Sequence, residues 1–169
     1  MKARDTAPAL CDFIAEVDEA KAHTQQFTLW PKRWKEYVRG RPPAFSWVSH
    51  PFNAKSKKKI PEEKGLYTFV VSPNIAQHCC SYLMYVGVAA KQTLRKRFGQ
   101  YLSDKRNPNA RPQIVRLLNK YSDKNLFFCC VSLPTANNLK KLEEDLIEAF
   151  LPPCNPKITG KVGRIKRAF

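Results

Sequence analysis

A chain of 169 residues with 43% hydrophobic and 11% aromatic residues is long enough to bury about 70% of its unfolded surface in one domain, which excludes wholesale disorder. No apolar run approaches the roughly 20 residues of a membrane span, and the start, MKARDTAPALCDFIAEVDEA, lacks the continuous apolar core and small-residue cleavage site of a secretory signal. A soluble, cytoplasmic or nucleoid protein with no membrane partner is therefore expected. Lys plus Arg number 30 against 14 Asp plus Glu, a formal net charge of +16, more than solubility asks for and suited to a polyanion such as nucleic acid. Ten of these cations fall in residues 91–124 and five in 151–169, the latter with no acid, so those two segments should flank the ligand path. The bland alternative is a basic surface with no dedicated ligand.

The six cysteines are Cys11, Cys154 and the adjacent pairs Cys79-Cys80 and Cys129-Cys130, none at the C-x-x-C spacing of a zinc knuckle or redox site. Neighbours on a strand point to opposite faces, so Cys129 and Cys130 inside LFFCCVSL cannot serve one metal. They read as reduced, small packing residues.

In chain order, Pro8–Ala22 and Pro31–Val38 are expected as amphipathic helices, the second with Trp30, Trp34 and Tyr37 at helical spacing. The following prolines and the run Lys57-Lys58-Lys59 read as an extended connection without regular structure. LYTFVVS from Leu66, and YLMYVGV ending at Val88, are β-branched and aromatic and predict a hairpin with a longish loop. Thr93 caps a helix with Leu94, Phe98, Tyr101 and Leu102 on its apolar face, and a further helix follows Pro112 around Ile114–Tyr121. LFFCCVSL reads as a strand buried on both faces, and Asn137 or Asn138 as the cap of a helix through LKKLEEDLIEAF that Pro152 and Pro153 end. The expected fold is α/β in the α+β sense, a small, mainly antiparallel three-stranded sheet flanked by helices with an N-terminal helical extension. The expected division is an accessory segment over 1–61, a catalytic domain over 62–160 and a basic tail over 161–169.

Two residues stand apart from a core-only pattern. On a wheel of the last helix Leu139, Leu142, Leu146, Ile147 and Phe150 form one stripe, and Glu143 falls about 40° from Leu139, inside it. Glu144, Asp145 and Glu148 are expected on the opposite side. An inward carboxylate needs a cation, metal or proton, or it sits at the stripe's rim and snorkels to water. Arg97 likewise lies about 40° from Tyr101 at the edge of an apolar face, where a guanidinium could clamp a phosphate with two bonds. Arg95 and Lys96 fit a solvated face better.

These elements together resemble the GIY-YIG nuclease family. Gly65-Leu66-Tyr67 stands at the first signature tripeptide and Tyr85-Val86-Gly87 at the second. Leu94-Arg95-Lys96-Arg97 resembles the helix with the essential arginine, and LEEDLIEAFLPPCNP resembles the E-x-x-L-I-(x)4-P-x-x-N segment of UvrC-type repair nucleases. Five ordered matches on coherent elements are far more specific than either tripeptide alone.

The resemblance implies catalytic roles for Tyr67, Tyr85, Arg97 and Glu143, with Glu143 the single protein ligand of Mg²⁺ (Mn²⁺ substituting) and Arg97 the phosphate clamp. A single carboxylate suits Mg²⁺, which dehydrates reluctantly and keeps several waters. A signature tyrosine would activate the attacking water, Tyr67 being favoured, with neighbouring cations lowering its pKa or a relay taking the proton. Gly65, Gly87, Tyr101 and Asn155 would support the site, Asn155 by pinning the turn after the last helix. Lys91, Arg95, Lys96, Arg111, Arg116 and Lys157 are candidate DNA contacts. The chain departs from some relatives in having Val88 rather than Lys after the second tripeptide and Tyr101 rather than His four residues after the arginine, which leaves Lys91 or His78 as possible contributors. A compact DNA endonuclease of restriction, phage-defence or mobile-element type is implied, dimeric if it cuts both strands at once. The rival is a non-catalytic nucleic-acid-binding protein on a similar scaffold.

Overall fold

The computed structural model describes residues 7–75, 80–107, 109–121, 124–155 and 162–163, without the side chains of 7–11. Helices α1 (Ala7–His23) and α2 (Pro31–Arg39) precede strand β1 (Val48–Pro51) and a 3-10 helix (Ala54–Lys59). Strands β2 (Gly65–Val71) and β3 (Tyr82–Ala89), helices α3 (Leu94–Asp104) and α4 (Pro112–Lys120), strand β4 (Leu126–Ser132) and helix α5 (Leu139–Phe150) follow. No helix among the described residues is long and apolar enough to cross a membrane.

The strands form one open sheet in the order β1-β4-β2-β3, each pair antiparallel. The α/β expectation holds, but the sheet has four strands rather than three. The added strand is β1, in the stretch expected to be an irregular connection, where Val48–Pro51 pair with Cys130–Phe127. VSHP is too short and too exposed to carry a strand pattern of its own, so the ladder offered by β4 makes it a strand. The 3-10 helix corrects the same expectation. Asn53 caps it by accepting from the Ser56 backbone N–H at 3.0 Å. Phe52 and Ile60 on either side of it are buried with Tyr67, Phe69 and Phe98, so this core extends back across the break expected at residue 61.

Side-chain alternation splits the sheet into two packed faces. Tyr67, Phe69, Val71, Tyr85, Leu126, Phe128 and Cys130 pack against Leu94, Phe98 and Tyr101 of α3 and Ile114, Leu117 and Leu118 of α4. Leu66, Val86 and Val131 pack on the other face against Leu142 and Leu146 of α5, with Tyr37 of α2 alongside. The double-sided burial of LFFCCVSL is incomplete, since Phe127 and Cys129 stay half-exposed while Cys130 is buried. The hairpin carries a bulge, with Phe69 opposite Tyr85 and Val70 opposite Leu83. The extra residue, Met84, therefore joins Tyr85 on the α3/α4 face instead of alternating with it.

Three local expectations change in the folded chain. Asn138 occupies the N-cap of α5 but makes no side-chain capping bond. Glu148 does not stand free on the outer side of α5: Arg33 of α2 pairs with it and with Glu36, stitching the two helices together. Phe150, placed in the apolar stripe, is exposed, its ring lying near Tyr37. Helix α5 ends at Leu151 in the left-handed conformation, φ 50°, which costs a residue with a Cβ about 1–2 kcal/mol. Burial of Leu151 against Val162 and Trp30 offsets that cost, and the turn carries Asn155 back to the sheet.

Candidate active site

The open edge of β3 organises the site. Thr68 opposes Val86 and Leu66 opposes Val88, and with no strand beyond β3 among the described residues its outward backbone groups need other partners. Asn155 supplies one set: its Oδ1 accepts from the Val86 N–H at 2.9 Å and its Nδ2 donates to the Val86 carbonyl at 2.8 Å. The Cys154 N–H donates to the Met84 carbonyl at 2.9 Å. The backbone N–H of Val88 favours the charged form of the nearby Glu143 carboxylate. The primary amide of Asn155 and the carboxylate of Glu143 thus stand where the next strand would be.

This edge is also where α5, on one face of the sheet, meets arginines from the other. Burial raises the pKa of Glu143, while the Arg111 guanidinium opposes that rise; Glu144 adds to it, and the Val88 N–H and Arg97 counter it. Arg97 donates from Nη1 to Gln100 Oε1 at 3.0 Å. Its Nε is the buried side-chain polar atom left without a partner among the described residues, an exception to the rule that buried donors are paired. Gln100 is held by reciprocal amide bonds with Gln92, at 2.8 and 3.0 Å.

Tyr67, Tyr85 and Tyr101 converge on the α3/α4 face, each at most 3% exposed. The Tyr67 and Tyr101 hydroxyls are 2.8 Å apart and hydrogen-bonded. The Tyr85 hydroxyl, near Tyr101, accepts from Arg111 Nη1 at 3.2 Å. The expectation that nearby cations lower the Tyr67 pKa is corrected. Burial, reinforced by the neighbouring phenols, pushes Tyr67 well above the ordinary phenol value, with Arg97 acting weakly in the other direction. Tyr101 is pushed up as well, by burial first and then by Tyr85.

Both signature glycines are required by close approach. A Cβ at Gly65 would lie 2.0 Å from the Val131 carbonyl oxygen. One at Gly87 would lie 2.5 Å from both Cζ and the hydroxyl oxygen of Tyr67 and 2.7 Å from Cε1 of Tyr85, so the Tyr67 phenol lies across the space a side chain would fill.

The candidate DNA contacts separate. Lys91 and Lys96 are exposed, as a phosphate contact must be. Arg95 is committed internally, donating to the Ile60 carbonyl at 2.7 Å and the Lys58 carbonyl at 3.1 Å and pairing with Glu62. Arg116 lies on the solvent side of α4, near Gln113 and Lys120. Lys157 and His78 lie outside the described residues. Arg111, expected as a phosphate contact, is bonded to Tyr85; a lone arginine at the start of a helix carries no signal for a tyrosine 26 positions earlier.

Among the described residues no group of three or more His, Cys, Asp or Glu side chains could hold a metal ion. A cation that keeps several waters needs no such cage, and Glu143 offers one half-buried carboxylate. Arg97 and Arg111 beside it make the locality unfavourable for a bare cation, so the donor set fits Mg²⁺ arriving with a phosphate better than Mg²⁺ alone. No family model matches the chain, and no curated protein or solved structure matches it.

Proposed function

We propose that the chain is a Mg²⁺-dependent DNA endonuclease of the GIY-YIG type, hydrolysing a phosphodiester bond at the β3 edge. The observation that supports this most is one half-buried carboxylate, Glu143, within the electrostatic reach of Arg97 and Arg111, with Arg111 bonded to Tyr85 and Tyr67 bonded to Tyr101. A structural core has little use for an inward carboxylate and an arginine Nε left unpaired, whereas a phosphate brought there satisfies both arginines.

In this reading Glu143 is the protein ligand of the metal, which when bound would polarise the phosphoryl oxygen and offset charge on the departing oxygen. Arg97 turns its unpaired Nε toward the phosphate and compensates the charge that gathers as water attacks phosphorus. The bond from phosphorus to the 3′ oxygen breaks, leaving a 5′ phosphate and a 3′ hydroxyl. The proton lost by the water leaves to solvent by way of a phenol hydroxyl, which releases its own proton as it takes the new one, and the departing 3′ oxygen takes a proton from solvent. Asn155 and the two glycines keep β3 and the phenols in register with α5.

One observation favours the rival reading of a non-catalytic DNA-binding protein: all three phenols are almost sealed from solvent in the free chain. Cleavage of supercoiled plasmid with Mg²⁺, Mn²⁺ or EDTA, comparing the parent with Glu143→Ala and measuring DNA binding by both, separates the two. Metal-dependent nicking that disappears in the variant while binding persists is expected. A parent that binds plasmid and branched DNA tightly but cuts neither hands the argument to the binding-only reading.

A further inference from the structure

The three clustered phenols differ in what their hydroxyls bond. Tyr67 is the inner phenol, its hydroxyl bonded to that of Tyr101 at 2.8 Å and its ring closed over by Gly87. Tyr85 lies near Tyr101 but is the outer phenol, because the group bonded to its oxygen is not another buried phenol but Arg111, at 3.2 Å from Nη1, a residue open to solvent. The guanidinium carbon stands 5.6 Å from the centroid of the Tyr85 ring.

Arg111 also faces Glu143, being the strongest of the groups that favour its charged form. One guanidinium therefore bonds the outermost phenol and acts electrostatically on the carboxylate at the sheet edge. A guanidinium has five N–H donors in a rigid plane. One is used on Tyr85, and the rest are available to a phosphate oxygen lying between Tyr85 and Glu143. The backbone defines where this fork sits, since Arg111 is the N-cap residue of α4 and the helix after it is anchored by the buried Ile114, Leu117 and Leu118.

We propose that Arg111 is a positioning residue of this site, holding the Tyr85 hydroxyl toward the bound phosphate so that Tyr85, rather than Tyr67, is the phenol offered to the substrate. The proposal rests on the nuclease reading above and goes beyond it by naming a second guanidinium and ordering the tyrosines. Its role depends on planarity as well as charge, because a lysine is a point charge on a flexible stem and cannot bridge a hydroxyl and a phosphate in one fixed plane.

Arg111→Lys is the test, because it keeps the charge. Single-turnover cleavage of a saturating DNA duplex should slow by about 10²-fold, the range seen when one preorganised donor is removed from a charge-stabilising site. DNA affinity and its salt dependence should change by less than about twofold, because the phosphate-facing charge is retained. Tyr85→Phe should be slowed comparably, and the double variant should be no slower than the slower single, as for two groups acting as a unit. A Lys variant cutting at the parental rate, or a double variant whose losses multiply, overturns the proposal. A second readout does not need cleavage: the side-chain N–H signal of Arg111 in a ¹⁵N spectrum should exchange slowly with water in the parent and quickly in Tyr85→Phe. If that signal ignores the substitution, the contact is not what holds Arg111 and the proposal falls. A parent that cuts nothing while the signal responds sinks the nuclease reading and the substrate-facing role, and leaves the Arg111–Tyr85 contact standing.

Discussion

Replacing Asn155 by Ala removes both partners of Val86 on the open edge, the acceptor at 2.9 Å from its N–H and the donor at 2.8 Å from its carbonyl. Each buried backbone group left unpaired costs about 1–3 kcal/mol, and since β3 is an edge where water can reach one of the two after relaxation, a loss of about 2–4 kcal/mol is expected. For a chain of this size that corresponds to a melting temperature lower by roughly 4–16 °C. Asn155→Asp sharpens the test because it changes the donor and almost nothing else. Its ionised carboxylate still accepts from the Val86 N–H but sets a second oxygen against the Val86 carbonyl, while the protonated acid can donate there as the amide did. The folded-state pKa of such an Asp is raised above its unfolded value near 3.9. The stability associated with the protonated form is present below the unfolded pKa and lost as pH rises through the folded one. The gap between parent and Asp variant in urea unfolding should therefore narrow on acidification and be widest at neutral pH. A gap that does not change with pH, or an Ala variant within about 1 kcal/mol of the parent, well under the loss worked out above, would show that Asn155 does not hold the edge.

Gly87→Ala puts a methyl 2.5 Å from the Tyr67 phenol and should cost about 1–3 kcal/mol by overpacking, with a changed near-UV tyrosine signal. Gly65→Ala meets the Val131 carbonyl at 2.0 Å, backbone that cannot swing aside, so it should be the more destabilising of the two in denaturant melts; the reverse order would refute the contact geometry. Burial holds the Glu143 pKa above the ordinary carboxylate range, so its charge costs stability as pH rises through that raised value. Glu143→Gln should then melt higher than the parent at pH 7, with the difference vanishing below the unfolded pKa near 4.3; a Gln variant less stable at pH 7 would mean that its arginine partners outweigh burial. Arg95→Ala frees the carbonyls of Lys58 and Ile60 and should make the Lys57–Lys59 stretch markedly more sensitive to trypsin, whereas unchanged digestion would mean that packing of Phe52 and Ile60 alone holds the segment.

From Gly65 onward the elements were legible because each carries its own local signal. LYTFVVS and YLMYVGV are β-branched and aromatic; Thr93 accepts from the Lys96 N–H at 3.2 Å as a cap should; and the stripe in Leu139–Phe150 marks α5 at the bounds it has. The wheel that turned Glu143 inward was likewise a local argument, and Glu143 is half-buried. What the wheel could not reveal is that a neighbouring helix would claim Glu148, since the face of α5 that meets α2 is set by packing between distant segments.

The tertiary structure alone decided the rest. Strand β1 exists through its pairing with β4, and VSHP has no strand signal that would survive without that ladder. The bulge sets Met84 on the face that Tyr85 shares with Tyr67, and one extra residue in a strand leaves no mark on composition or periodicity. Arg111 and Tyr85 meet because α4 is docked against the sheet. Sequence by itself determined which residue types were present, in what order and on which local elements. Their convergence at one open edge is a property of long-range packing, because contacts between segments far apart in the chain are set by complementary surfaces rather than by local periodicity.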